Sequence, residues 1–245
     1  MLRGLAHGAL DLFLPRHCAV SGRPLLDDDS GPVAAEVLRQ AEVAGADYCK
    51  RCGAPQGTGV GVIRECISCQ DVRDGFGTKE IVAAGRYAGV LEGMCLALKF
   101  GGERNVAKPL AAWLVPLLHE RGVAARIDAV APVPLSALRR LQRGYNQAEL
   151  IARELRLEKP LVNALRRTRP TDRQAMLSVA QRKANVDGAF MVRNAALVEG
   201  KVFLLVDDVM TTGATFAEAA RTLKRAGAKA VYGAIAARAA LGADR

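Results

Sequence analysis

Apolar and polar positions along the chain follow two periods, and after residue 77 these periods divide the chain into strands and helices. Short apolar runs predict strands, whereas apolar residues three or four positions apart predict helices. The predicted strands cover residues 81–87, 127–133, 201–206 and 230–236, and the predicted helices cover 91–98, 105–119, 147–155 and 215–225. Strands that alternate with helices are typical of a parallel sheet with helices on its faces.

The chain before residue 77 follows a different pattern. Its first fourteen residues place apolar side chains at helical spacing, and Asp11 interrupts the only apolar run that a signal peptide could use. A polar turn at 27–32 then precedes a predicted short helix at 33–43. We therefore predict an N-terminal module over residues 1–75 and a second domain over 76–245.

Composition and charge narrow the class of protein. The 245 residues are 50% hydrophobic, which is enough for a sizeable core. No stretch reaches the ~20 consecutive apolar residues that cross a bilayer, so we expect a soluble, cytoplasmic protein. The net charge is +10, and residues 126–183 hold thirteen Lys or Arg against five Asp or Glu, or +8. This basic stretch favours a polyanionic partner, either nucleic acid or a pyrophosphate-bearing substrate, although it also suits a solvated surface.

Two Cys-x-x-Cys pairs in the front module predict a zinc site. Cys49 and Cys52 form the first pair, Cys66 and Cys69 form the second, and thirteen residues separate the pairs. Each pair directs two thiolates at one point, and four thiolates complete the tetrahedral shell that Zn²⁺ prefers. Two disulfides are one alternative, which a reducing cytosol disfavours. A redox Cys-x-x-Cys is another, but it leaves one of the pairs without a role.

Two further cysteines lie outside these pairs. Ser21 stands where a second cysteine would complete a pair with Cys18. Cys95 lies in an apolar run, and we expect it to be a small buried core residue.

The motif with the most specific chemistry follows the predicted strand at 201–206. Asp207 and Asp208 come directly after this strand, and the turn Thr211-Thr212-Gly213-Ala214-Thr215 opens the next helix. Such a turn directs backbone N–H groups and Thr hydroxyls at one point near the positive end of the helix dipole, which suits a phosphate. The two carboxylates are placed to accept hydrogen bonds from ribose hydroxyls or to orient a hydrated Mg²⁺. The alternative is an ordinary strand-to-helix turn with threonine caps.

The segment 206–215 resembles the motif with which type I phosphoribosyltransferases bind 5-phosphoribosyl-1-pyrophosphate (PRPP). The wider chain resembles the ComF family (competence protein F, GntX-like), and further matching segments lie at 98–102, 132–135, 143–147 and 167–171. The resemblance covers nearly the whole chain and includes the paired cysteines. It implies a type I phosphoribosyltransferase-like parallel sheet flanked by helices, preceded by a small zinc-ribbon module. Ser21 departs from the family pattern, in which many relatives carry a second cysteine.

The resemblance also implies roles for individual residues. Asp207 and Asp208 would hold the ribose hydroxyls of PRPP, and the loop from Thr211 to Thr215 would hold its 5-phosphate. The segment 167–185 resembles the flap that folds over the active site in glutamine-dependent amidophosphoribosyltransferases, and its polar, Arg-rich composition is typical of a lid. The expected contacts to pyrophosphate come from Lys99, Gly101 and Gly102, with Arg143 and Arg182 as further partners.

Three functions agree with these patterns. The first is a Mg²⁺-dependent transferase that displaces pyrophosphate from the anomeric carbon of PRPP, with Asp207, Asp208 and Lys99 as catalytic candidates. The second is an accessory of the DNA-uptake machinery that holds single-stranded DNA by its backbone, since the family is associated with natural transformation. The third is a PRPP sensor without turnover. We rank PRPP binding first and DNA uptake second, and one molecule could combine both.

Overall fold

The computed structural model describes residues 16–26, 29, 31–44, 48–56, 66, 69, 72, 75–168 and 186–239. The strands are β1 (Ile81–Arg86), β2 (Ala129–Pro132), β3 (Leu165–Arg167), β4 (Phe190–Val192), β5 (Val202–Met210) and β6 (Ala230–Arg238). The helices are α1 (Ala35–Arg39), α2 (Gly89–Phe100), α3 (Ala107–Glu120), α4 (Val123–Arg126), α5 (Ala137–Arg143), α6 (Gln147–Glu154) and α7 (Ala214–Arg225). Short 3₁₀ turns lie at Arg104–Val106 and Ala195–Leu197.

A four-stranded sheet forms the centre of the fold. Its strands run in the order β1-β6-β5-β2, and every neighbouring pair is parallel. The predicted fold class, a parallel sheet flanked by helices, is therefore confirmed. Strands β3 and β4 form a separate antiparallel ribbon.

Two hydrophobic clusters cover the two faces of the sheet. Successive side chains of β5 point to opposite faces, so Leu204 and Val206 belong to one cluster and Phe203 and Leu205 to the other. The first cluster includes the apolar faces of α2, α3 and α6, and the second includes that of α7. Trp113 of α3 is half-buried and packs against the first cluster.

The described residues before position 75 pack against both faces of the sheet. Cys18, Val33 and Val37 belong to the first cluster, whereas Cys52 and Cys69 belong to the second. Backbone hydrogen bonds also tie this segment to β1, because Ala44 N donates to Ala84 O at 2.6 Å and Ile81 N donates to Lys50 O at 2.9 Å. The division into two domains at residue 75 stays a prediction.

The strand that carries the two acids is longer than predicted. We expected it to end at Val206, with Asp207 and Asp208 after it, but β5 continues to Met210. The expectation was wrong because β5 keeps pairing with β6 through the acids, as far as the pair Met210 and Arg238. Asp207 and Asp208 are therefore held by the sheet, and their side chains alternate across it.

Other elements also differ from the sequence-based expectation. The helix predicted at 33–43 has five residues, Ala35–Arg39, because Val43 pairs with Gly85 of β1. Helices α4 and α5 and the ribbon β3–β4 were not predicted. The amphipathic helix predicted for residues 1–14 lies outside the described residues. No helix among the described residues is long and apolar enough to cross a membrane.

Candidate functional site

The two acids of β5 lie in different surroundings. Asp208 is 8% exposed, and its Oδ2 forms an ion pair with Nζ of Lys99, the penultimate residue of α2, at 3.0 Å. Its Oδ1 accepts a hydrogen bond from Val209 N at 2.8 Å. Asp207 is half-buried, and its Oδ1 accepts from Asp208 N at 2.9 Å.

These surroundings move the pKa values of the two carboxyl groups in opposite directions. Burial raises the pKa of Asp207 well above its usual value, and the negative charge of Asp208 adds to this effect. Burial also raises the pKa of Asp208, but the charge and hydrogen bond of Lys99 outweigh it, so the net shift is downward. For Lys99, burial opposes the charged form, and the attraction of Asp208 exceeds it and raises the pKa. The site thus holds one firmly ionised pair and one carboxyl group that resists ionisation.

A tight turn joins β5 to the N-terminus of α7. Gly213 has φ +77° and lies directly before α7. A Cβ atom there would lie 2.7 Å from Cε of Met210 and would also overlap the ring of Phe76. Only glycine fits both the left-handed backbone and the close packing. The N-terminus of a twelve-residue helix therefore lies a few residues after the end of β5, and a helix N-terminus favours anions.

A cleft of about 120 Å³ lies at the carboxyl ends of β2 and β5. This edge is where open parallel sheets bind their ligands. The N-terminal ends of α6 and α7 also border it. The sequence-predicted site residues that line the cleft are Lys99, Arg143, Asp207, Asp208, Thr211, Gly213, Ala214 and Thr215.

Three predicted residues are placed differently. Gly101 and Gly102 are exposed after the end of α2 and do not appear among the described residues that line the cleft. Thr212 does not line the cleft either, and its Oγ1 instead accepts a hydrogen bond from Ala214 N at 3.4 Å. Arg182, together with most of the segment predicted as a flap, lies outside the described residues.

The cleft also contains two arginines that were not predicted as contact residues, although one of them, Arg167, begins the segment predicted as a flap. Arg139 and Arg167 line it beside Arg143, whose guanidinium lies 5.1 Å from the ring centre of Phe100. Both belong to the basic stretch 126–183, which predicted a polyanionic partner but singled out neither residue.

The segment 143–147, which matches the family pattern, contains the residue that caps helix α6. Asn146 donates from Nδ2 to Val133 O at 3.0 Å and accepts at Oδ1 from Ala148 N at 3.1 Å. It thereby caps α6 and fixes the start of that helix against the end of β2. The neighbouring Gln147 also lines the cleft.

The four paired cysteines converge on one point. Sγ of Cys49 lies 3.7 Å from Sγ of Cys69, and Sγ of Cys52 lies 3.7 Å from Sγ of Cys66. All four sulfur atoms lie within 4.8 Å of one another. A tetrahedral centre with Zn–S bonds of ~2.3 Å has S–S separations of about 3.8 Å, so the four thiols fit zinc. The separations are far longer than the ~2.05 Å of a disulfide, and all four cysteines are free.

The two other cysteines serve the core. Cys18 is buried, and its Sγ accepts hydrogen bonds from Ser21 N at 3.5 Å and Ala34 N at 3.4 Å. It is not part of the four-cysteine group. Cys95 is 1% exposed in the first cluster, which confirms its prediction as a core residue.

A larger groove, of about 800 Å³, lies between the segment 16–38 and helices α3 and α6. It has a mixed lining of apolar and charged side chains. Two of its arginines form ion pairs with nearby acids, Arg153 with Glu149 and Arg156 with Glu154. The convergent acids, cations and glycine turn lie in the smaller cleft, which we therefore regard as the candidate site.

The chain is similar to several known proteins. The phosphoribosyl transferase domain model matches residues 141–243, which include β5, its two acids, the turn and α7. The DNA utilization protein YhgH of Escherichia coli K12 is 36% identical over 159 residues, which cover 62% of this chain and 69% of that protein. The chain belongs to the ComF family.

Two other relatives match a larger share of this ComF-family chain. The DNA utilization protein YhgH of Salmonella typhi is 30% identical over 90% of this chain and 96% of its own length. Competence protein F of Haemophilus influenzae is 28% identical over 78% of this chain and 85% of its own. A solved structure of the allosteric regulatory enzyme of purine biosynthesis is 24% identical to this chain, with a TM-score of 0.35. The match covers 54% of this chain and 26% of that enzyme's chain. That similarity is too distant to bear on function.

Proposed function

We propose that this ComF-family protein binds PRPP in the cleft and acts as a Mg²⁺-dependent phosphoribosyltransferase. The observation that carries the proposal is the arrangement at the end of β5. Asp207 and Asp208 are followed within a few residues by the Gly213 turn and the N-terminus of α7, inside a domain that the phosphoribosyl transferase model matches.

Each part of PRPP has a complementary set of residues in this proposal. The 5-phosphate would bind the turn from Thr211 to Thr215, where a helix N-terminus attracts anions. The ribose hydroxyls would donate hydrogen bonds to Asp207 and Asp208. The pyrophosphate would bind the cationic residues that line the cleft, which are Lys99, Arg139, Arg143 and Arg167. The family pattern adds Gly101, Gly102, Thr212 and Arg182 to the proposed contacts.

The reaction would exchange one bond at the anomeric carbon. The C1–O bond to pyrophosphate breaks with its electron pair leaving on the pyrophosphate, and a nucleophilic acceptor forms a new bond to C1 and loses a proton. Positive charge develops on the ribose, which carboxylates stabilise, while Lys99 and the arginines stabilise the departing anion. Asp207 and Asp208 would hold a Mg²⁺ ion, which would supply positive charge to stabilise the departing pyrophosphate.

The four-cysteine group would hold a structural Zn²⁺ as part of the same proposal. The sulfur separations support it, and four thiolates without an open position are typical of structural rather than catalytic zinc. A cytoplasmic location suits such a centre, because the cytosol keeps thiols reduced.

A calorimetric titration of PRPP with Mg²⁺ into Asp208→Asn tests the site assignment. The variant loses a charged acceptor for ribose and the partner of Lys99, so we expect its affinity to fall tenfold or more, equivalent to about 1.4 kcal/mol. Asp128→Asn is the matched control, because Asp128 accepts from Val202 N at 2.8 Å at the opposite end of β5. Unchanged PRPP affinity in Asp208→Asn would remove Asp208 from the site.

Single-stranded DNA is a second candidate ligand, favoured by helix α5. This helix buries no residue, carries Arg139, Arg140 and Arg143, and exposes Leu141 at 83% beside the cleft. Its cations could neutralise phosphates of a DNA backbone. The names of the relatives, DNA utilization protein and competence protein F, agree with a role in DNA uptake.

Salt dependence distinguishes this binding mode from PRPP binding. We expect DNA affinity to fall steeply with salt and the double variant Arg139→Ala/Arg140→Ala to reduce the slope of log K against log salt by about 1–2. The control, Lys201→Ala/Lys229→Ala, removes two charges near the starts of β5 and β6 and should leave the slope unchanged. Equal slopes in both variants would exclude α5 as the DNA surface.

A further inference from the structure

A tyrosine in the segment 143–147 joins the loop before α6 to the end of α2. Tyr145 is 8% exposed, and its hydroxyl donates to Leu98 O at 2.6 Å. The two residues are 47 positions apart in the sequence, and both belong to the first hydrophobic cluster. The guanidinium of Arg104 lies 4.8 Å from the centre of the Tyr145 ring. Packing of the ring therefore holds the hydroxyl at one carbonyl group of α2.

The carbonyl that accepts this hydrogen bond lies in the last turn of a helix. The last four C=O groups of an α-helix have no partner within the helix, and Leu98 is two residues before the end of α2 at Phe100. Ala97 O accepts from Gly101 N at 2.9 Å, and the next carbonyl along the chain accepts from Tyr145. Because Leu98 is fully buried, its carbonyl would be costly to leave without a donor. Tyr145 thus anchors the last turn of α2.

The anchored peptide unit is the one that leads into Lys99. The C=O of Leu98 and the N–H of Lys99 belong to the same planar peptide group, so the hydrogen bond from Tyr145 fixes the backbone from which the lysine extends. Nζ of Lys99 then reaches Oδ2 of Asp208 at 3.0 Å. A lysine side chain is long and flexible, so the position of its ammonium group depends on a fixed backbone.

The residues next to Tyr145 contact other parts of the same cleft. Asn146 donates to Val133 O directly after β2 and caps α6. Arg143 lines the cleft, and its guanidinium lies 5.1 Å from the ring centre of Phe100 at the end of α2. One five-residue segment therefore joins the ends of α2 and β2 to the start of α6, which explains its role better than any single contact.

We propose that Tyr145 is a positioning residue that holds Lys99 in place for the pyrophosphate of PRPP. It acts through Lys99 rather than on the ligand. Without the hydroxyl, the last turn of α2 opens more often, and Lys99 spends less time where the pyrophosphate would bind. The 5-phosphate would bind a different element, the turn before α7, so the effect should be confined to a ligand that carries pyrophosphate. This inference rests on the proposed PRPP site.

Calorimetric titration of two ligands into Tyr145→Phe tests the proposal. Phenylalanine keeps the ring that packs against Arg104 and removes only the hydroxyl. We expect the affinity for PRPP with Mg²⁺ to fall about fivefold, within the range that one hydrogen bond spans, and the affinity for ribose 5-phosphate to stay unchanged. Tyr48→Phe is the matched control, because the Tyr48 hydroxyl donates to Glu80 and Tyr48 is not among the described residues that line the cleft. It should change neither affinity.

Equal losses of affinity for both ligands in Tyr145→Phe would overturn the proposal, because they would mean a general loosening of the fold. Unchanged PRPP affinity would overturn it as well. A wild type that fails to bind PRPP would instead contradict the proposed function. In that case amide hydrogen exchange of the ligand-free proteins tests the anchor, since the last turn of α2 should exchange about fivefold faster in Tyr145→Phe than in Tyr48→Phe. Equal exchange rates in the two variants would show that Tyr145 does not hold this turn.

Discussion

Adjacent acids with opposite pKa shifts are the most informative feature at the scale of single residues. Asp208 is ionised and paired with Lys99 before any ligand arrives, whereas Asp207 resists ionisation because it is desolvated beside another acid. Sites that bind charged ligands commonly keep such pairs at some cost in stability. The two acids should therefore respond differently to the same substitution.

We predict that Asp208→Asn lowers the free energy of unfolding by about 2–3 kcal/mol, because it leaves Lys99 with a neutral partner.

The variant Asp207→Asn should instead raise the free energy of unfolding at pH 7. The folded-state pKa of Asp207 lies above the unfolded value of ~3.9, so its ionisation opposes folding at neutral pH and ceases to do so as pH falls below ~3.9. Urea unfolding of both variants between pH 7 and pH 4 measures this. The gain in Asp207→Asn should shrink toward pH 4, and shifts of the same sign in both variants would contradict the assignment.

Gly213 provides a second prediction at this scale. Gly213→Ala adds a left-handed strain of about 1–2 kcal/mol and an overlap with Met210 and Phe76. Gly200→Ala is the control, since Gly200 has φ +71° but a Cβ atom there would meet nothing within 4 Å. Thermal unfolding should show a larger loss for Gly213→Ala, and only this variant should weaken PRPP binding. Equal losses would mean that the turn tolerates a side chain.

The sequence predicted some of these residues and not others, for physical reasons. Asp207, Asp208 and Gly213 belong to a compact local motif, so their proximity follows from chain connectivity. Lys99 was expected as a pyrophosphate contact, but its ion pair with Asp208 depends on how α2 packs on the sheet. Arg238 gave no signal, because an arginine at the end of an apolar run is usually exposed. In the folded chain its side chain is buried, and its Nη1 donates to the carbonyl oxygens of Met210 and Thr211.

At the scale of elements, periodicity predicted the helices and strands that bury one apolar face. Helices α2, α3, α6 and α7 fall within a few residues of their predicted bounds. Helix α5 was missed because it buries no residue and exposes Leu138 and Leu141. The ribbon β3–β4 was missed because each strand has three residues, too few to show alternation. The extension of β5 comes from its pairing with β6, which a single segment does not reveal.

The four-cysteine group makes a prediction at the scale of elements. Cys49→Ser removes one thiolate ligand, so we expect metal analysis to show loss of bound zinc and calorimetry to show a lower melting temperature. Cys18→Ser is the matched control, because Cys18 is buried outside the group. Full zinc content in Cys49→Ser would show that Cys49 is not a ligand.

At the scale of the whole molecule, the sheet brings distant parts of the sequence to one edge. Lys99, the arginines of α5, the acids of β5 and the turn before α7 border one cleft, and Arg238 reaches the same turn from the end of β6. The four cysteines pack into the cluster beneath the turn. Segments far apart in the sequence therefore meet at the candidate site.

We propose that the cleft at the end of β5 receives PRPP. Isothermal titration of PRPP into the wild-type, zinc-loaded protein, with and without Mg²⁺, measures this binding. We predict saturable binding that is strengthened tenfold or more by Mg²⁺, a change of about 1.4 kcal/mol, together with weaker binding of ribose 5-phosphate, which keeps the contacts of the turn but lacks pyrophosphate. Absence of PRPP binding to the folded protein under both conditions would show that the cleft is not a PRPP site.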